Sequence, residues 1–191
     1  MDPRVVRSRE RIMAATLDEV VERGYAGLTI ESIASRAGVS KATIYRHWPT
    51  RAELLSDVFE WAKPPVFEPP NTGSVRSDVI SILERLVAIV NGESSFLPVL
   101  IDAAERDPDL ASHHRGHTRA RRQPLVNVLQ AGIARGELPP TVDVELLTDL
   151  LGAPIMYRRF VSRQGVDHDL VERLVDTVLP HASGACRHDD A

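Results

Sequence analysis

Residues 29–48 read TIESIASRAGVSKATIYRHW, and this stretch decides the fold. Thr29 offers an N-cap hydroxyl to a first helix, with Ser32 instead of Glu at the capping-box position, so an incomplete box is expected. Ile30, Ile33, Ala34 and Ala37 form a buried stripe at spacings of three and four. Gly38, able to take positive φ, closes that helix, and Val39 plugs the turn. Ser40 caps a second helix in which Ala42, Ile44 and Tyr45 sit among the polar Lys41, Thr43, Arg46 and His47. Ala42 and Ile44 are read as core or close-packing positions. A helix, a three-residue turn with glycine and a second helix make the arrangement that lays its second helix in a major groove. Charge agrees with the turn chemistry. Between Glu31 and Glu53 there is no acid, while Arg36, Lys41, Arg46 and Arg51 all fall there. A duplex carries one phosphate charge per ~1.7 Å of axis, so a surface free of carboxylates suits its approach.

Three landmarks extend the pattern: AGLT at residues 26–29, IASRAGVSKATIYRHW at 33–48 and RAELL at 51–55. Together they resemble the DNA-binding domain of the TetR family of transcriptional regulators, over roughly residues 8–62. Two departures are mild: Trp48 stands where the family commonly has Phe, and Pro49-Thr50-Arg51 where it often has Lys. The resemblance implies an all-α protein. A three-helix, homeodomain-like head and a connecting helix would precede a helical bundle that binds a ligand and dimerises. It implies ligand-responsive regulation of transcription, most often repression. It also places Tyr45 and His47 against the phosphate backbone.

Composition bounds the reading. The chain has 191 residues, is 43% hydrophobic and carries a net charge of −4, so the total does not announce a nucleic-acid binder. The distribution does. Residues 1–51 hold nine Lys and Arg against six acids, and the remainder fourteen against twenty-one. A basic head on an acidic body presents one end to DNA and keeps the rest off it. The one cysteine, Cys186, excludes a disulfide framework. No apolar run approaches 18 residues and the N-terminus lacks an apolar signal core, so a cytoplasmic protein without membrane contact is expected.

The chain divides into a DNA-binding domain at 1–63, a Pro-rich linker at 64–73, a ligand-binding and dimerisation domain at 74–183, and a flexible tail at 184–191. Arg4, Arg7 and Arg9 precede or open the first helix, either as a minor-groove arm or as a frayed end. That helix should run from Ser8 to Arg23, with Val20 and Val21 inward and Asp18, Glu19 and Glu22 outward. Thr50 caps a helix from Arg51 to Ala62 that would couple head to body. Ser74 or Ser77, Asp107, Asp143 and Asp167 cap later helices. Pro124 should kink or split the long helix that follows Asp107, and Gly165 should end the helix containing Pro154.

The residues expected to touch DNA are Ser40, Lys41, Thr43, Tyr45, Arg46 and His47 of the second helix, with Thr29, Arg36 and Arg51. Lys41 suits a guanine edge and Thr43 a thymine methyl or a phosphate. Leu147, Leu150, Leu151, Ile155, Leu170, Leu174 and Val178 are expected at a dimer interface, since the last two helices are apolar over more than one stripe. By the resemblance the body holds the effector pocket, for which Phe96, Leu100, Leu129, Met156, Tyr157 and Phe160 are candidate lining residues and a small, mainly apolar effector is expected. Twofold symmetry would make the operator near-palindromic. His113 and His117 have the i, i+4 spacing of metal ligands but lack an accompanying Glu or Cys, and read as a polar helix face. No metal or other cofactor and no catalytic residues are expected. An effector-independent architectural DNA protein and a metal-dependent helical-bundle enzyme stand as alternatives.

Overall fold

The computed structural model describes residues 3–62, 68–92 and 97–183. Among these every regular element is helical: α1 (Pro3–Gly27), α2 (Ile30–Ala37), α3 (Lys41–His47), α4 (Arg51–Trp61), α5 (Val75–Asn91), α6 (Leu97–Arg106), α7 (Pro108–Ala134), α8 (Val144–Met156) and α9 (His168–Ser183). No helix among the described residues is long and apolar enough to cross a membrane. Residues 184–191, residue 63, the first part of the Pro-rich segment (64–67) and Phe96 lie outside the described residues.

The helices sort into two compact units, and neither is continuous in sequence. The first joins Met1–Pro65 to Phe96–Thr118; the second joins Val66–Ser95 to Arg119–Ala191. α6 and the first turns of α7 therefore pack with the head, although a sequential division at the linker assigned them to the body. Leu100, Ala103 and Leu110 share one core with Ile12, Ile33, Ile44 and Phe59. Burying side chains of this size is worth roughly 1.5–3 kcal/mol each, which is what fixes such short helices in place.

Local chemistry sets the helix ends. α1 starts earlier than Ser8, at Pro3, and breaks after Arg23 as expected: Gly24 takes φ 71° and ψ 174°, a conformation that a side chain disfavours, and a short turn carries on to Gly27. The Ser74 hydroxyl and the Asp107 and Asp167 carboxylates accept first-turn amides as caps where expected. Asp107 Oδ1 accepts the amides of Asp109 and Leu110 at 3.0 and 3.4 Å. Ser74, not Ser77, caps α5. Two expectations about proline change. α7 runs unbroken through Pro124. α8 ends at Met156 and widens into one π-helical turn, Tyr157–Val161, with Ser162 N donating to Tyr157 O at 2.9 Å. Pro154, which has no amide to donate, interrupts the ladder just before the widening. Arg163 at φ 56°, not Gly165, takes the left-handed position that ends it.

In the second unit α5, α7, α8 and α9 enclose a separate core containing Val79, Leu83, Leu129, Leu151 and Val175. Glu137 Oε2 accepts the amide of Val75 at 2.8 Å, tying the end of α7 to the start of α5. Asn91 Nδ2 donates to Val166 O at 3.0 Å and anchors the loop before α9.

Candidate nucleic-acid interface

The turn between α2 and α3 is built as its sequence demands. Gly38 adopts φ 64° and ψ 41°, and the Val39 amide donates to Ala34 O at 3.0 Å. The capping box at α2 is complete, which corrects the expectation drawn from Ser32. The Ser32 amide donates to Thr29 Oγ1 at 3.1 Å, and the Thr29 amide to Ser32 Oγ at 3.4 Å. A serine hydroxyl reaches as well as a carboxylate because the first turn brings the two residues together. Ser40 caps α3 through the amide of Thr43, 3.2 Å away.

With both ends fixed, the rotation of α3 follows from one buried anchor. Ile44 is fully buried, while Lys41, Ala42, Tyr45 and Arg46 are exposed. The outward face is therefore two neighbouring ridges, Lys41–Tyr45 and Ala42–Arg46. Ala42, expected at a core or close-packing position, is not in the core and stands on that face. The signal was available: two residues before Ile44 at 100° per residue is 200° around the helix. Thr43 and His47 flank the face half-buried, with the Thr43 hydroxyl taken up by Ser40 Oγ at 2.9 Å and Arg46 Nη2 at 3.4 Å. Lys41 Nζ meets Glu31 Oε1 at 2.5 Å.

Two arginines expected at DNA are engaged elsewhere. Arg36 turns back onto α1, with Nη1 donating to Glu22 Oε1 at 2.8 Å and Nε lying 2.8 Å from Glu19 Oε1. Glu22 holds the guanidinium protonated well above its ordinary range, and Arg36 in turn holds the Glu22 carboxyl below its own. Glu19, read as outward-facing, is buried beneath Arg36, whereas Val21, read as inward, is exposed. Arg51 Nη1 donates to Leu28 O at 3.0 Å, and its guanidinium stacks 4.3 Å over the Tyr25 ring. Both side chains clamp the scaffold behind the motif. Tyr25 in turn donates its hydroxyl to Asp107 Oδ2 at 3.0 Å, and burial of the phenol raises its pKa. Trp48 is buried with its indole N–H on Asp57 Oδ2 at 2.8 Å. That carboxylate also holds Arg9, which stacks 5.2 Å over Trp48.

The body presents a different kind of surface. Leu147, Leu151, Ile155 and Leu170 lie in the second unit's own core, so they are not available to a partner as expected. Leu174 and Val178 are half-buried against the same core. Leu150 alone of that set stands well out, and it falls in an exposed line with Leu146, Ala153, Tyr157 and Val161. The candidate pocket residues do not gather around one space. Leu100 is in the first unit's core, Leu129 is fully buried in the second, Met156 and Phe160 pack against that second core, and Tyr157 is exposed. A shallow hollow of about 430 Å³ lies instead beside α5, lined by Glu68, Pro70, Ser81, Glu84, Arg85 and Ala88. The side chains of His113 and His117 are outside the described residues. Among the described residues no group of three or more His, Cys, Asp or Glu is placed to hold a metal ion.

Comparison with known proteins bears on this geometry directly. Residues 12–58 match the family model described as bacterial regulatory proteins, tetR family, and residues 69–178 the model described as tetracyclin repressor-like, C-terminal domain. An uncharacterized HTH-type transcriptional regulator, YdeS, of Bacillus subtilis (strain 168) is 33% identical over 175 residues, covering 91% of this chain and 88% of its own. The DNA-binding transcriptional repressor TetR of Mycobacteroides abscessus is 31% identical, over 88% of this chain and 90% of its own. The crystal structure of the TetR family transcription regulator SCO0332 superposes with a TM-score of 0.66 at 31% identity, over 91% of this chain and 97% of that one.

Proposed function

This chain belongs to the TetR family of transcriptional regulators, and from that premise we propose that it works as a homodimeric repressor released from a near-palindromic operator by a small effector. That it is a DNA-binding regulator follows from the family; the remainder is read from the chain. The observation that carries it is the outward face of α3, where Lys41, Ala42, Tyr45 and Arg46 stand free of the core on a helix whose two ends are capped. In this reading Lys41 and Ala42, nearest the N-terminus, reach base edges, with the Ala42 methyl against a thymine methyl. Tyr45, Arg46 and His47 meet phosphates, as do the Thr29 and Ser40 hydroxyls at their helix starts. Arg36 and Arg51 position the motif without touching DNA.

The exposed line on α8 supports dimerisation. Leu146, Leu150, Ala153 and Tyr157 recur at helical spacing on a face turned away from the chain's own core. Soluble proteins rarely leave such a stripe uncovered, and the same stripe from a second copy is the simplest cover. The match of residues 69–178 to the tetracyclin repressor-like domain supports an effector site in the body. An effector acts there only through its preference for a conformation whose heads are wrongly spaced. Within the first unit, Tyr25 is the junction at which such a change reaches the motif. Its hydroxyl is on Asp107, beside the N-terminus of α7, and its ring is under Arg51 of α4. No catalytic step is proposed, and the site of action is the cytoplasm.

Selection of bound duplexes from a random pool tests the reading. A palindrome with half-sites one turn apart, ~34–36 Å, is expected. Absence of enrichment, with a steep salt dependence, would favour an architectural protein instead. On the selected operator, Lys41→Ala and Tyr45→Ala abolish specific binding without lowering the melting temperature. Arg36→Ala lowers the melting temperature first and affinity only as the head loosens.

A further inference from the structure

Lys41, at the front of the recognition helix, is not a free cation in the unbound protein. Its ammonium sits 2.5 Å from the Glu31 carboxylate, which projects from the first turn of α2. Both side chains are exposed. Each group titrates as a paired one: the hydrogen bond from Lys41 holds Glu31 below its ordinary range, and that from Glu31 holds Lys41 above its own. Glu31 is thus an acid attached to the face that must approach a polyanion.

We propose that Glu31 attenuates the affinity of the head for DNA, acting as a tethered counter-ion for Lys41. The inference rests on the placement of Lys41 in the interface. On an arbitrary duplex the pair stays closed and contributes no net charge, so Lys41 adds nothing to sequence-independent affinity. Opening it toward a phosphate would leave the Glu31 carboxylate unpaired beside the backbone, which is repulsive. On the operator, Lys41 leaves Glu31 for a guanine edge, where two acceptors, O6 and N7, offer a fixed geometry that a phosphate lacks. Opening the pair costs at least what a phosphate contact returns, so Glu31 lowers binding to the operator at least as much as binding to an arbitrary duplex, and attenuates affinity for both.

Counter-ion release makes this measurable. A cation freed to neutralise one phosphate steepens the dependence of log K on log salt by about 0.9. Affinities of wild type, Glu31→Gln, Lys41→Gln and the double variant are measured by fluorescence anisotropy on the selected operator and on a random-sequence duplex, from 50 to 300 mM KCl. Melting curves check that each variant is folded. Glu31→Gln is expected to tighten random-duplex binding about tenfold at low salt and to steepen its salt slope by about 1 per protomer. Operator affinity rises by at least as large a factor, because there Lys41 no longer has to leave a partner. In the Lys41→Gln background the Glu31→Gln effect disappears. The proposal is overturned if Glu31→Gln leaves the random-duplex slope unchanged. It is equally overturned if the effect persists without Lys41, which would mark a plain charge effect. Should Lys41→Gln keep full operator affinity, the assignment of Lys41 to the interface fails as well, and the two failures are told apart by that variant alone.

Discussion

Leu150 and Leu151 are neighbours in sequence and opposites in environment, and substituting each in turn separates dimerisation from folding. Leu150 is 50% exposed on the outer line of α8 and the π-helical turn after it, with Leu146 at 55%, Tyr157 at 58% and Val161 at 66%. Burying a whole leucine side chain is worth roughly 1.5–3 kcal/mol, so covering the open half is worth about 1 kcal/mol. A twofold axis counts it twice. Leu150→Lys removes that ~2 kcal/mol and sets an ammonium into the seam from each side, which brings the loss to at least about 3 kcal/mol. At 1.4 kcal/mol per tenfold, the dimer dissociation constant should rise more than roughly a hundredfold. Leu151 is fully buried in the second unit's core. Leu151→Ala should cost the fold about 2–5 kcal/mol, or roughly 5–15 °C in melting temperature for a chain of this length. Sedimentation velocity over a dilution series, with far-ultraviolet circular dichroism at each point, reads both effects. Leu150→Lys is expected to be a helical monomer at micromolar concentration, with operator binding reduced to that of single half-sites. Leu151→Ala is expected to remain dimeric well below its lowered melting point. A Leu150→Lys protein that dimerises as tightly as wild type would refute the assignment of this face.

Two glycines of α7 should respond to alanine with opposite signs in urea denaturation. A Cβ at Gly132 would lie 2.0 Å from Val75 Cγ2, and Val75 is buried, so Gly132→Ala costs about 1–2 kcal/mol after the helix-propensity gain is allowed for. At Gly116 nothing lies within 4 Å, and Gly116→Ala should gain roughly 0.5–1 kcal/mol. Glu137 makes the second unit acid-sensitive. The Val75 amide first, and Arg135 second, hold its folded pKa below the ordinary value of 4.5. Its contribution is therefore complete above that value and lost as pH falls through the lower, folded one. Melting temperatures of wild type and Glu137→Gln should differ at pH 7 and converge toward pH 3; a constant gap would show that the hydrogen bond does not depend on the charge.

How much of this was legible in advance follows from what local pattern encodes. Caps and turns are written in a few adjacent residues, and Thr29, Gly38, Ser40 and Thr50 all act where their chemistry placed them. Helical periodicity gives the spacing of apolar residues, but it does not say which of two apolar faces is the core. In α8 both faces are leucine-rich, and the choice between Leu150 and Leu151 is made by packing against α9, the next helix, and α5, far away in sequence. Length hid the Tyr25–Asp107 contact in the same way, since 82 residues separate its partners. For the same reason the first unit's boundary was invisible. The Pro-rich segment marks a break in the chain, whereas the head's core recruits Leu100 and Leu110 from beyond it.

Charge was the most deceptive signal, because a sequence counts cations without showing their partners. Four bases between Glu31 and Glu53 suggested a strongly positive face. In the folded protein Arg36 is spent on Glu22 and Glu19, Arg51 is turned onto Leu28 and Tyr25, and Lys41 is paired with Glu31. Arg46 keeps only a long bond to the Thr43 hydroxyl, 3.4 Å, among the contacts described. Pairing leaves the net charge of the head, and with it long-range steering, unchanged; what it ties up is the cations available for short-range contact. If α3 is the interface proposed above, the pairing of Lys41 lowers affinity for operator and arbitrary duplex alike. What the head keeps in that reading is the part of its affinity that depends on α3 meeting the right base edges, which an operator supplies and most other sequences do not.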